Sequence, residues 1–128
     1  MLNAEQIKAA VEPPAGSIDV PESGGKVGVR RLSAGELKDL RTWDYSDDIA
    51  ATCRFLHWAL CDASGRRLFQ RMDDPAAEVA QAWECFEHRG YGVMLRVAEE
   101  AQRLNLLTAA SREELRKNSS TAPNSDRN

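Results

Sequence analysis

The spacing of apolar positions changes along this chain, and each change predicts a different element. Residues 3–11 read as a short helix, with Asn3 as cap, Gln6 reaching back to it, and Pro13-Pro14 stopping the chain. So short a helix is marginal in water and must dock on something or fray. From residue 17 the period becomes two. Ile18 and Val20 alternate with Ser17 and Asp19, and Val27 and Val29 alternate with Lys26, Gly28 and Arg30, with turn residues between the two runs. This predicts a hairpin within 17–32 with a loop of four or five residues. Two strands alone are barely stable, so their apolar face should pack on helices.

Helical spacing takes over at Ser33, which with Glu36 forms a second capping box and opens a helix over 33–43, Leu37 and Leu40 inward. Asp44-Tyr45-Ser46 breaks it. Ser46 or Asp47 then caps the main helix, 48–61. One stripe there comprises Ile49, Thr52, Cys53, Leu56, Ala59 and Leu60, and Phe55 and Trp58 make another. Arg54 and His57 leave only a narrow polar edge, so this helix belongs at the centre. Asp73-Asp74-Pro75 starts the next helix, to about residue 88, with Val79, Ala82, Trp83 and Phe86 inward. Residues 89–92 read as a cap and restart, or as a kink in one continuous helix, and the helix over 93–105 turns Met94, Val97, Ala98, Ala101 and Leu104 to one face. Its outer face carries Arg96, Glu99, Glu100 and Arg103. Thr108 caps a last helix to about 117, with Leu115 inward, and 118–128 offers no large aliphatic residue to bury.

The fold class predicted is mainly α: a small helical bundle of about five helices with a short N-terminal β-hairpin and a disordered C-terminal tail. Its parts are an N-terminal helix and linker (1–16), a single mainly helical domain (17–117, hairpin at 17–32), and the tail (118–128).

One segment concentrates turn chemistry: Leu60, Cys61, Asp62, Ala63, Ser64, Gly65, Arg66, Arg67, Leu68 and Phe69 in succession. Asp62 can bond its own backbone two residues on, and Gly65 can take positive φ without strain. The arginines should stay wet while Leu68 and Phe69 return to the core.

Composition narrows the function classes. The chain has 128 residues, 42% hydrophobic and 29% charged, so one globular domain is expected rather than disorder. A net charge of −3 with no strongly basic face argues against nucleic-acid binding. The three cysteines, Cys53, Cys61 and Cys85, share no C-x-x-C spacing and behave as small hydrophobes. With no signal peptide and no apolar run long enough for a bilayer, a reducing, cytoplasmic setting follows.

Candidate chemistry is sparse. His57 and His88 lie on separate helices, neither with a ligand at metal-binding spacing. Asp73-Asp74 is explained as a helix start, and Glu99-Glu100 as a wet helix face whose neighbours diverge. Neither Gly24-Gly25-Lys26 nor Gly90-Tyr91-Gly92 is a phosphate loop. Asp62 to Gly65 lacks the alternating carboxylates and the final Glu of a calcium loop. Trp43, Trp58 and Trp83 read as core residues. The expectation is no enzyme, no cofactor and no metal.

The order of these pieces resembles the small tail assembly chaperones of long-tailed bacteriophages and prophages, the lambda-like minor tail assembly proteins. The residues that carry the resemblance are the L-x-D-x-x-G-x-x-L-F turn (Leu60, Asp62, Gly65, Leu68, Phe69) and the later Arg103-Leu104-Asn105-Leu106-Leu107-Thr108 run. It covers residues 26–118; the helix over 3–11 and the glycines at 90 and 92 depart from the pattern.

The resemblance implies a non-enzymatic protein of the host cytoplasm that coats the tape measure protein and hands it to tail-tube subunits. Self-association would be a further mode of binding, with neither nucleic acid nor membrane as partner. Trp43 and Tyr45, in the break between helices, are the candidates for touching the client, against the alternative that both close the core. The competing reading is a small structural or connector protein of the virion, and a small regulatory protein comes after it.

Overall fold

Strands β1 (Gly16–Val20) and β2 (Gly25–Val29) pair antiparallel, Ile18 opposite Val27, in the computed structural model, which describes residues 1–9, 15–21, 24–108 and 113. Alternation in β1 is as the sequence predicts: Ile18 and Val20 are buried, Ser17 and Asp19 exposed. Four residues join the strands, and Gly24 takes a φ of 83° to close the turn. Preceding them, α1 (Ala4–Ala9) is capped by Asn3 and Gln6.

The helices are α2 (Ala34–Arg41), α3 (Asp48–Ala59), α4 (Pro75–Phe86) and α5 (Tyr91–Leu104). Their starts follow the predicted caps. Ser33 and Glu36 complete a reciprocal box, Asp47 accepts from the Ala50 amide, and Asp74 accepts from Ala76 with Pro75 in the first turn. Helices α4 and α5 pack against α3, and α5 also covers β1. Leu56, Trp58, Val29, Met94, Val97 and Ala101 meet at the centre, each almost wholly out of water. The expected helical majority is present, five helices among the described residues, but the sheet is larger than a hairpin.

The main helix does not run to Cys61. It ends at Ala59, and Leu60–Cys61 form β3, which pairs antiparallel with β2 through Gly28 opposite Cys61 and Val29 opposite Leu60. The reason is an available edge: β2 has room for a partner, and Arg30 N donates to Ala59 O at 2.7 Å. Gly28 makes that approach feasible, since a Cβ there would lie 2.8 Å from Cys61 Sγ.

At its far end α5 closes with a Schellman motif. Leu107 N bonds Gln102 O and Leu106 N bonds Arg103 O, with Leu106 at a φ of 61°. The final helix to about 117 and the tail from 118 fall outside the described residues, Glu113 excepted.

Candidate binding groove

Helix α3 supplies the chemistry at the centre of the fold, and its polar edge is not where the sequence reading put it. Arg54 and His57 are buried, 6% and 0% exposed, along with Glu78 of α4. Glu78 Oε1 accepts from Arg54 Nε at 2.9 Å and from the Trp58 indole at 3.0 Å, while Oε2 accepts from the Met72 amide at 3.0 Å. Burial pushes this carboxyl up, but those three donors and His57 together hold it below the ordinary carboxylate range. The charge stays because it is fully partnered. It ties α3, α4 and the segment before α4 into one unit.

His57 Nε2 lies 2.8 Å from Gln81 Oε1, an acceptor, so this nitrogen carries the ring proton. Nδ1 is left to accept from Arg67 Nη2 at 3.4 Å. Burial depresses the imidazole's affinity for a second proton; Gln81 and Glu78 restore part of it, and the cations Arg67 and Arg54 add smaller depressions, so the net shift is downward. His57 is a neutral packing residue, stacked on Phe69 with ring centres 5.0 Å apart.

The turn after β3 forms as its residues dictate. Asp62 Oδ1 accepts from Ser64 N, Ser64 Oγ and Arg66 N, which hold its carboxyl below the usual range, the Ser64 hydroxyl first. Gly65 N returns to Asp62 O at 3.0 Å, and Gly65 takes a φ of 88°. Cys61 and Arg67 then face each other as an isolated bridge, and Leu68 N donates to Leu60 O. The element is a tight hairpin that projects from the sheet.

This geometry overturns the expected fate of its last residues. Leu68 is 47% exposed and Phe69 half-buried, whereas Arg67, expected in water, is half-buried over the Trp58 ring. The cause is competition for the inner face: Arg67 finds acceptors in the Phe69 and His57 carbonyls and a π surface, so Leu68 turns out. Trp83, also expected inward, is exposed, because Glu78 and Ala82 occupy the buried face of α4.

Leu68 therefore stands at the rim of an apolar groove of about 220 Å³. Val20 and Val27 of the first hairpin form one wall, Phe86 and Cys85 of α4 another, and Leu60, Phe69 and Val97 the floor. Trp83 sits one turn before Phe86 and shares its side of the helix. Lys26 is the charged residue in the lining. A larger depression of about 840 Å³ lies between β1 and α5, and Asp19, Arg96, Glu99, Glu100 and Arg103 place charges of both signs around it.

The remaining sequence candidates sit elsewhere. Trp43 and Tyr45 meet edge-on, ring centres 4.8 Å apart, and close over Arg54, whose Nη1 donates to the Tyr45 hydroxyl at 3.3 Å. Neither lines the groove. His88 is exposed beside Glu87. Burial raises the Cys53 thiol to about 11, with Asp47 adding to it. Among the described residues no group of three or more His, Cys, Asp or Glu could hold a metal ion, and no helix is long and apolar enough to cross a membrane.

Sequence reasoning missed Glu78 altogether. Its position gave a signal: Glu78 lies four before Ala82 on the inward stripe of α4, a charge on an apolar face, opposite an arginine on the most buried helix. The two runs that carried the resemblance both have structural duties. One builds the projecting hairpin. In the other, Asn105 Oδ1 accepts from Leu32 N at 2.7 Å while Nδ2 donates to Arg30 O and Ala101 O, joining the end of α5 to the exit of β2. No family model, curated protein or solved structure matches this chain.

Proposed function

We propose that this chain is a tail assembly chaperone of a long-tailed phage or prophage, a non-enzymatic protein that keeps the tape measure protein soluble in the host cytoplasm until tail-tube subunits receive it. The observation that carries the reading is Leu68, held outward by a hydrogen-bonded hairpin beside an apolar groove that it helps to line. A long amphipathic helix exposes apolar stripes that self-associate. A groove that accepts one or two side chains per turn covers them with modest affinity per copy. Many copies along one client add up through multivalency. The order of the two sequence runs, Leu60 to Phe69 and Arg103 to Thr108, supports the family assignment beside it.

The test is co-expression with the tape measure protein, to be sought as a very large helical protein encoded by the next long reading frame. Soluble client is expected to rise with chaperone dose, and the chaperone is expected to be missing from purified particles by mass spectrometry. Unchanged client aggregation at every ratio, or several copies per finished virion, would reject the reading.

A further inference from the structure

The last strand of the projecting hairpin, residues 67–69, rests on one side chain in the final turn of α3. The Phe69 ring stacks on the His57 imidazole, and Arg67 Nη2 lies 3.4 Å from both His57 Nδ1 and the His57 carbonyl oxygen. Arg67 Nε donates to Phe69 O at 3.1 Å, which fixes the guanidinium in that pose. On its other side the strand is held to β3 by Leu68 N donating to Leu60 O.

A second proton on this ring has one place to go. Nε2 already carries hydrogen toward Gln81 Oε1, so the proton enters at Nδ1, the side that Arg67 faces. Nδ1 then donates where it had accepted, and a cation confronts the guanidinium. Glu78 Oε2, on α4, stands 3.7 Å from the same nitrogen and can take the new hydrogen. Glu78 therefore draws the imidazolium while Arg67 is repelled by it. Arg54, on the ring's own helix, adds a weaker like charge and is itself paired with Glu78 Oε1. With the uncharged Gln81, these are the groups that act on the ring from α3, α4 and the hairpin.

Arg67 is the partner able to leave. Its neighbours each have a carboxylate: Arg30 has Glu36, Arg54 has Glu78, and Arg71 has Asp39. The contacts of Arg67 are two carbonyls, the imidazole nitrogen and the Trp58 face. Burial, then Arg30 and more weakly Arg71, count against its charge, and Glu78 and Glu36 offset only part of that.

We propose that a proton on His57 Nδ1 hands the ring from Arg67 to Glu78 and releases the 67–69 strand, so that the hairpin carrying Leu68 is a pH-sensitive element of the fold. Release puts Arg67 in water and opens the Leu68 to Leu60 bond, while the packing of α4 and α5 on α3 persists. The switch concerns how the hairpin is seated and is independent of what the groove binds. The seated form resists the proton and the released form accepts it at an ordinary imidazole value, so one pH unit below about 6.5 favours release about tenfold.

Native-state amide exchange of the full chain at pH 7.5 and pH 5.5, corrected for the intrinsic pH dependence of exchange, tests it. Opening at the Leu68 amide is expected to rise about tenfold at the lower pH and to run at least tenfold ahead of Val97 and Ala101 in the core. Arg67→Met, which keeps an apolar stem over Trp58 and removes the charge, is expected to cut the pH effect below threefold. A Leu68 amide that opens equally at both pH values would overturn the proposal. So would one that opens only together with Val97 and Ala101, or a full tenfold pH effect in the Arg67→Met chain.

Discussion

Glu78 and Arg54 meet almost wholly out of water, Oε1 2.9 Å from Nε, with side chains 0% and 7% exposed. The guanidinium also stacks over Trp58, 5.0 Å from the ring centre, so one charge pair organises the largest core residue. Replacing one partner strands the other. Glu78→Gln is expected to cost about 3 kcal/mol or more, read from a urea midpoint. Glu100→Gln, which breaks the exposed pair with Arg103 on α5, should cost less than about 1 kcal/mol. Equal effects of the two changes would contradict the burial argument.

Acid should weaken the fold in two stages. His57 is depressed in the folded chain, so the unfolded chain binds its proton first. The stability this group gives is whole above its ordinary value of about 6.5 and is lost as pH falls below it. Glu78 is also depressed, and its contribution disappears lower, as pH drops beneath the ordinary carboxylate range. Denaturant midpoints from pH 8 to pH 4 should therefore decline from about pH 6.5 downward, and His57→Gln should remove the upper part of that decline. A parent profile flat from pH 7 to 5 would show that His57 is not sealed as described.

At the end of α5, Asn105 and Leu106 should respond in opposite directions. Asn105→Ala abandons Leu32 N, Arg30 O and Ala101 O, at a cost of about 2 to 3 kcal/mol. Leu106 holds a left-handed conformation that a side chain resists, so Leu106→Gly should gain about 0.5 to 1 kcal/mol. Thermal melts of the two variants decide this; a Leu106→Gly chain that melts several degrees lower would mean its side chain matters more than its backbone.

Two glycines are constrained for different reasons. Gly65 needs its positive φ, and Gly65→Val should lose about 1 kcal/mol or more through backbone strain. Gly28 has ordinary torsions but no space, with Cys61 Sγ, Asp62 O and Cys61 O all within 3.1 Å of where a Cβ would sit. Gly28→Ala should force β3 from β2, seen as faster amide exchange at Leu60, Cys61 and Arg30, and unchanged exchange there would refute the close approach.

Helix starts, the first hairpin and the Asp62–Gly65 turn were legible because each depends on residues a few positions apart. Ser33 with Glu36, Asp74 with Pro75, and Gly65 each act locally. What escaped the sequence depends on distant partners. β3 exists because β2 offers an edge thirty residues upstream, and Leu60 reads equally well as the last residue of an apolar helix. Arg54 and His57 look like a wet edge until Glu78 and Gln81 arrive from α4 to satisfy them. Leu68 points outward because Arg67 takes the inner position over Trp58. An alternation rule has no access to that exchange, and the groove rim was misread for that reason.

The central claim is that Leu68 and its groove bind an apolar helix face. Fluorescence anisotropy of a labelled amphipathic helix of about twenty residues, drawn from the client and titrated with the full chain, tests it most directly. Saturable binding is expected, weakened at least tenfold by Leu68→Glu and unchanged by Glu99→Gln on the far face of α5. Absence of binding to the parent, or equal affinity in the Leu68→Glu chain, would contradict the account.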